Sequence, residues 1–211
     1  MTDFKLHQQI SSKGSDKEKI AEKVINQPDL LPEIFEGLNA EQANLKYGCD
    51  KILRLISEKA PTRLYAQFGF FANNLNSDNN FFKWGAIHIL ANLAAIDSEN
   101  KFERIFDKYF APISGPVLIT AANIIKGAAQ IALAKPELTA KIVPALLQVE
   151  KAKYQTVECR NIALGQVIKS VDPFFDQIKD KAPLTKLIRK QLKNSRSATK
   201  KAAEKFVKKK L

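Results

Sequence analysis

The sequence predicts an all-α fold of about five stacked helical pairs followed by one closing helix. The first observation is a repeat. Lys46-Tyr47-Gly48 recurs as Lys83-Trp84-Gly85, 37 residues on, and Asn123-Ile124 through Gly127 returns as Asn161-Ile162 through Gly165, 38 residues on. A period of that length on helical spacing marks one supersecondary unit copied along the chain. The second observation is that apolar residues step by three and four. The β-branched side chains fall at helical positions, not alternating ones, so no stretch reads as a strand. The third is that Pro32 and Pro144 stand 112 residues apart, three periods, in the same phase as the glycines.

Taken in order, residues 1–14 are polar, contain Gly14, show no periodicity and are expected to form a flexible lead-in. Ser15-Asp16-Lys17-Glu18 has the form of a capping box, with the Ser hydroxyl on an amide three residues on and the Glu reaching back. Ile20, Ala21, Val24 and Ile25 give the helix that follows one apolar face, and Pro28 ends it. The partner helix starts near Leu30-Leu31, with Pro32 in its first turn, where a missing N–H costs nothing. The second pair is 41–59 and 62–75, split by Ala60-Pro61; Ile52, Leu53, Leu55 and Ile56 face inward in one member, Leu64, Phe68 and Phe71 in the other. The third is 81–96 and 99–110 around Asp97-Ser98, two good capping residues, and Phe102, Ile105, Phe106 and Tyr109 make its second stripe. Ser114-Gly115-Pro116 restarts the chain for the fourth pair, 117–134 and 136–150. The fifth pairs 156–171 with a second half that begins at Asp172-Pro173, breaks at Ala182-Pro183 and continues to Leu192. Asn194-Ser195 opens the last helix. The expected organisation is a lead-in over 1–14, a repeat array over 15–194 and a basic capping helix over 195–211.

Lys83-Trp84-Gly85-Ala86-Ile87 through Leu93-Ala94-Ala95-Ile96-Asp97, as a first helix with its turn, resembles the HEAT-repeat branch of the armadillo-type α-solenoids. So does Ile142-Val143-Pro144-Ala145-Leu146-Leu147, as a second helix. The resemblance covers residues 15–211 and implies a right-handed α-α superhelix whose extended surface holds a partner. It speaks for fold more than for function, because the motif encodes packing. The chain departs from tidy repeats in repeat length, in Phe68, Phe70, Phe71, Phe81, Phe82 and Trp84, and in lacking a regular basic residue after each turn. Some HEAT-like proteins are DNA glycosylases for alkylated bases, with a basic concave face and aromatic and acidic residues around the lesion. This sequence resembles them in fold and charge only.

Composition bounds the function. Of 211 residues 45% are hydrophobic, with 8 Gly and 9 Pro, the make-up of a folded chain rather than a disordered one. Cys49 and Cys159 lie 110 residues apart with no C-x-x-C, so neither a disulfide framework nor a zinc site is expected; both read as small buried thiols in a cytoplasmic protein. Met1 to Gly14 lacks the apolar core of a secretory signal. Val117 to Ala134 is about the length of a membrane span, but Thr120, Asn123, Lys126 and Gln130 form one polar stripe on it, as in a helix packed between neighbours, and no membrane insertion is expected. His7 falls in the lead-in. His88 has Trp84 and Asn92 one turn away, neither a good second ligand. No Ser elbow, Walker loop, dinucleotide glycine pattern or H-E-x-x-H occurs. No catalytic residue, metal, cofactor or small-molecule substrate is assigned.

Charge is the strongest functional signal. The net charge is +12, and residues 186–210 carry 11 Lys/Arg against Glu204, a net +10. On the last helix Ala198, Ala202, Ala203, Phe206 and Val207 share one side, and Lys200, Lys201, Lys205 and Lys208 lie mostly on the other. The candidate anion contacts are Arg189, Lys190, Lys193, Arg196, Lys200, Lys201, Lys205 and Lys208. Such a face binds phosphates without reading sequence, and its affinity falls steeply with salt. The same residues also suit a solvated cap for the array, or contact with an acidic protein or an anionic membrane, although the helix lacks the apolar side of an interfacial one. Candidate partner-face residues are Phe70 and Phe71, because Phe68, Phe70 and Phe71 cover more than half a helix circumference, and the recurrent Asn123 and Asn161, which serve either a ligand or a hydrogen-bond ladder between repeats. Two functions follow. One is a non-catalytic scaffold for a macromolecular partner, a protein first of all. The other is a nucleic-acid-binding protein using the basic C-terminal helices, favoured if their lysines continue onto a face with Arg54, Lys83, Lys126 and Arg160.

Overall fold

The computed structural model describes residues 4–211, and every regular element among them is an α-helix or a 3-10 turn. They form two compact units, the first running to Lys101 and the second from Phe102 to Leu211. The first holds α1 (Phe4–Ser11), α2 (Lys17–Asn26), α3 (Leu31–Gly37), α4 (Ala43–Lys59), α5 (Phe68–Asn74) and α6 (Asn80–Leu93). Within it α4 packs against α2 on one side and α6 on the other. Ile52, Leu53 and Ile56 carry that packing; each is buried, and each such burial is worth about 1.5–3 kcal/mol.

Two expectations change here. The lead-in over 1–14 contains α1, whose Leu6 and Ile10, one turn apart, are buried against α4. His7 Nε2 is bonded to the Glu33 carbonyl at 2.8 Å. Residues 1–3 lie outside the described residues. The cap of α2 is Asp16, not Ser15: the carboxylate accepts from the Glu18 and Lys19 amides, both at 3.1 Å, and those bonds hold it below the usual carboxylate range. The Ser15 hydroxyl oxygen is buried and unbonded. An ionised carboxylate is the stronger acceptor for orphan amides, so the helix begins one residue later than the capping box implies.

The second unit opens with α7 (Lys101–Arg104, its first residue still in the first unit) and continues with α8 (Phe106–Phe110), α9 (Leu118–Ala134), α10 (Thr139–Leu147), α11 (Val157–Val171), α12 (Ala182–Lys190) and α13 (Ser197–Lys210). The stripe Phe102, Phe106, Tyr109 is buried as expected, although the helix breaks at Ile105. Pro144 sits inside α10, unlike Pro32 in the first turn of α3. The long helices α9, α11 and α13 pack side by side, and α10 and α12 pack together beside them.

The recurrent glycines are contact points. A Cβ on Gly85 of α6 would lie 2.2 Å from Asp50 Oδ1 of α4, and one on Gly165 of α11 would lie 2.7 Å from Thr199 Oγ1 of α13. Real Cβ atoms do not approach so closely, so glycine is what lets each helix pair close up.

Candidate functional site

Four cations of the second unit, with Glu150, line a groove of about 780 Å³ where the start of α11 faces the link between α12 and α13. Arg160 stands on one wall; Arg189, Lys190 and Lys193 stand on the other. The link is held by Asn161. Its side-chain amide donates to Ser195 Oγ and its oxygen accepts from Asn194 Nδ2, both at 3.1 Å, while Thr199 Oγ1 donates to its carbonyl at 2.7 Å. Asn194 also donates to Gln191 Oε1 at 2.8 Å and accepts from the Arg196 amide at 2.8 Å. This network fixes the backbone that carries Lys193 and the end of α12. Asn161 is 8% exposed and its partners are on this link rather than at Asn123.

Many basic residues already have acids. Lys190 pairs with Glu150, Arg196 with Glu158, Lys209 with Asp172 at 2.8 Å and Lys210 with Asp176; Lys141 pairs with Glu103 at 2.7 Å, and in the first unit Lys59 pairs with Glu22 at 2.7 Å. The hydrogen bond from Lys210 holds Asp176 below its ordinary range. Lys200 lies 4.0 Å from Glu204, a weak exposed pair. Of the eight anion candidates, Arg189, Lys193, Lys201, Lys205 and Lys208 are therefore exposed without a carboxylate, and Arg160 shares the groove with Arg189 and Lys193. The contrast with the first unit is compositional too: it carries 12 basic and 13 acidic residues, against 22 basic and 9 acidic in the second.

No family model and no curated protein matches the chain. Solved structures do. An engineered protein from the Northeast Structural Genomics Consortium superposes over 96% of this chain and 86% of its own, with 14% identity and a TM-score of 0.57. A designed armadillo repeat protein superposes over 97% of this chain and 90% of its own, with 18% identity and a TM-score of 0.58. The chain has an armadillo/HEAT-like fold. Likeness at such identity speaks for fold alone. An armadillo/HEAT-like repeat fits a scaffold for binding.

The remaining sequence candidates fall on several surfaces of that armadillo/HEAT-like frame. Phe70 of α5 is 41% exposed and meets Phe35 edge-on, with ring centres 5.2 Å apart. Phe71 is 2% exposed and Asn161 is buried, so neither belongs on a partner face; packing takes the first and the α12–α13 link takes the second. Asn123 is half-buried on α9, in a second groove against α11. Lys126 shares that groove, so Lys126 and Arg160 both extend the basic surface of the second unit. Arg54 belongs to the first unit and lies 3.2 Å from Asp50. In the same unit Tyr47, Phe81 and Trp84 form a cluster, with ring centres 4.7 Å and 5.7 Å apart. The nearby acid does not open to a bound base: Asp50 is 8% exposed and its carboxylate packs against Gly85. Burial raises it to about 6, against the opposing pull of Arg54. Burial likewise raises the Cys49 thiol to about 12, which leaves it unreactive. Among the described residues no three His, Cys, Asp or Glu converge as metal ligands, and no helix is long and apolar enough to cross a membrane.

Sequence reasoning missed Gln166 and Lys169, which line the second groove. Neither stands in phase with Asn123 or Lys126 along the repeat, so periodicity carried no signal for them.

Proposed function

We propose that the protein is a binding scaffold whose second unit holds the phosphate backbone of a nucleic acid. The observation that carries this is the groove in which Arg160, Arg189 and Lys193 face one another without an acid of their own, Glu150 being engaged by Lys190. Arginine forks suit phosphate oxygens, and clustered cations raise the local potential enough to steer a polyanion. A second reading, a protein partner on the first unit, is favoured by exposed Phe70 against Phe35.

The test is binding of labelled duplex DNA and of RNA to the full chain across a salt series. The expected result is a linear fall of log affinity with log salt, losing about 0.9 of slope per phosphate contact removed on duplex DNA. Arg160→Glu, Arg189→Glu and Lys193→Glu together should abolish binding at moderate salt with the helical spectrum intact. Absence of binding at low salt would end the nucleic-acid reading and leave Phe70 as the place to search.

A further inference from the structure

Between α12 and α13 the chain runs extended: Asn194 has φ −64° and ψ 137°, and Arg196 has φ −79° and ψ 113°. Ser195, between them, is exposed and lines the Arg160 groove. The direction of its side chain is fixed. Ser195 Oγ accepts from Asn161 Nδ2 at 3.1 Å, so it faces the start of α11 beside Arg160. Its flanks carry Arg189, Lys190, Lys193 and Arg196, and no Asp or Glu stands anywhere from Lys181 to Ala203. The neighbouring hydroxyls are placed differently. Ser197 shares the flanks but is already the first residue of α13, Thr199 is buried, and Thr156 is held as the cap of α11 by the Cys159 amide. A kinase takes its acceptor residue from exposed chain and chooses it by the pattern of charge around it. Ser195 meets both conditions, and it alone of these hydroxyls lines the groove.

We propose that Ser195 is a phosphorylation site whose phosphoryl group, once added, docks on Arg160, Arg189 and Lys193 and closes the groove to nucleic acid. This rests on the nucleic-acid reading above and adds its regulation. The step is transfer from a nucleoside triphosphate on a protein kinase. Ser195 Oγ forms a bond to the γ-phosphorus, the bond from that phosphorus to its bridging oxygen breaks, and the nucleoside diphosphate leaves. The hydroxyl proton passes to a carboxylate of the kinase. Arginine forks then hold the phosphoryl oxygens in pairs. Arg160, Arg189 and Lys193 line the groove without an acid of their own, because Glu150 is engaged by Lys190, so they give it +3. A phosphoserine brings nearly −2 at neutral pH and leaves about +1. As part of the chain the new anion is present at an effective concentration on the order of millimolar, which a nucleic acid at micromolar concentration does not match.

The experiment uses the full chain throughout. A purified serine kinase that favours basic flanks, given ATP, is expected to label Ser195 ahead of every other hydroxyl, read by mass spectrometry; a folded chain that takes no phosphate there overturns the site. Chain carrying phosphoserine at 195 is then compared with unmodified chain and with chain carrying phosphoserine at Ser114, which is exposed in the same unit but lies outside the groove. Labelled duplex DNA should bind the first at least about tenfold more weakly than either of the others, with a salt slope smaller by about 0.9 for each contact displaced. An equal loss from both modifications assigns the effect to net charge and sinks the docking. Phosphorus NMR without nucleic acid gives an independent reading. The second ionisation of the phosphate at 195, ordinarily near pH 6, should move down by at least about 0.5 on folding and return in Arg160→Gln with Arg189→Gln. A phosphate that titrates alike in folded and urea-unfolded chain is not docked, and the inference fails while the nucleic-acid reading stands. A docked phosphate in a protein whose unmodified form binds no DNA at low salt ends that reading and its regulation together.

Discussion

In the first unit α6 presents Gly85 to α4, and the space a side chain would fill is taken by the Asp50 carboxylate. In the second α11 presents Gly165 to α13, and the space is taken by the Thr199 hydroxyl. The geometry is alike and the energetics are opposite. Thr199 is neutral and donates to the Asn161 carbonyl at 2.7 Å, so its burial is compensated. Asp50 has lost most of its water and gains only Arg54, at 3.2 Å and itself partly exposed, so its charged form is disfavoured and its acidity falls to about 6. A glycine contact thus sets how near two helices come, while the residue that fills it decides whether the interface titrates.

The largest effect that would break this comparison is expected at Gly165→Val. A Cβ there already overlaps Thr199, and a branched side chain must separate α11 from α13 and cut the Thr199–Asn161 bond. A loss of about 3 kcal/mol or more in urea unfolding of the full chain is expected; a loss no greater than that of an exposed helix substitution would mean the contact is slack. Next comes Asp50→Asn. Because burial raises the pKa of Asp50 in the folded chain, that chain holds more protons than the unfolded one between the ordinary value of 3.8 and about 6. Stability from this group therefore falls as pH rises through that window and is flat above it. The Asn variant should lack that slope and be more stable than the unaltered chain by about 1–2 kcal/mol at neutral pH, with no gain near pH 4. Parallel stability–pH curves for the two chains would remove the titrating interface. The smallest effect is Glu150→Ala, which costs at most about 0.5 kcal/mol as an exposed pair is broken. It also frees Lys190 into the Arg160 groove, so duplex affinity at low salt should rise; an unchanged or weaker affinity would detach the groove from phosphate binding.

The fold was legible wherever a residue does the same work in successive repeats. Gly48 with Gly85 and Asn161-Ile162 through Gly165 with its earlier copy gave the period, because close helix contacts recur with the repeat. Helix α1 was not legible, since eight residues are too short to show a period and gain their stability from packing on α4, as through Leu6 and Ile10, rather than from propensity. The site was legible as a charge excess and not as a place. Sequence counts lysines, but only packing shows that Lys190 and Arg196 meet acids from the preceding repeat while Arg189 and Lys193 do not. Gln166 was silent for a related reason: an unsatisfied oxygen is a property of its surroundings, which no spacing within one helix records.

Among the described residues, ion pairs between neighbouring repeats share a direction. In Glu22–Lys59, Glu103–Lys141, Glu150–Lys190, Glu158–Arg196, Asp172–Lys209 and Asp176–Lys210 the acid always comes from the earlier repeat and the base from the later one. At these borders the earlier repeat presents an acidic edge and the later one a basic edge, like bar magnets laid head to tail. A repeat set backwards at such a border would bring like charges against each other.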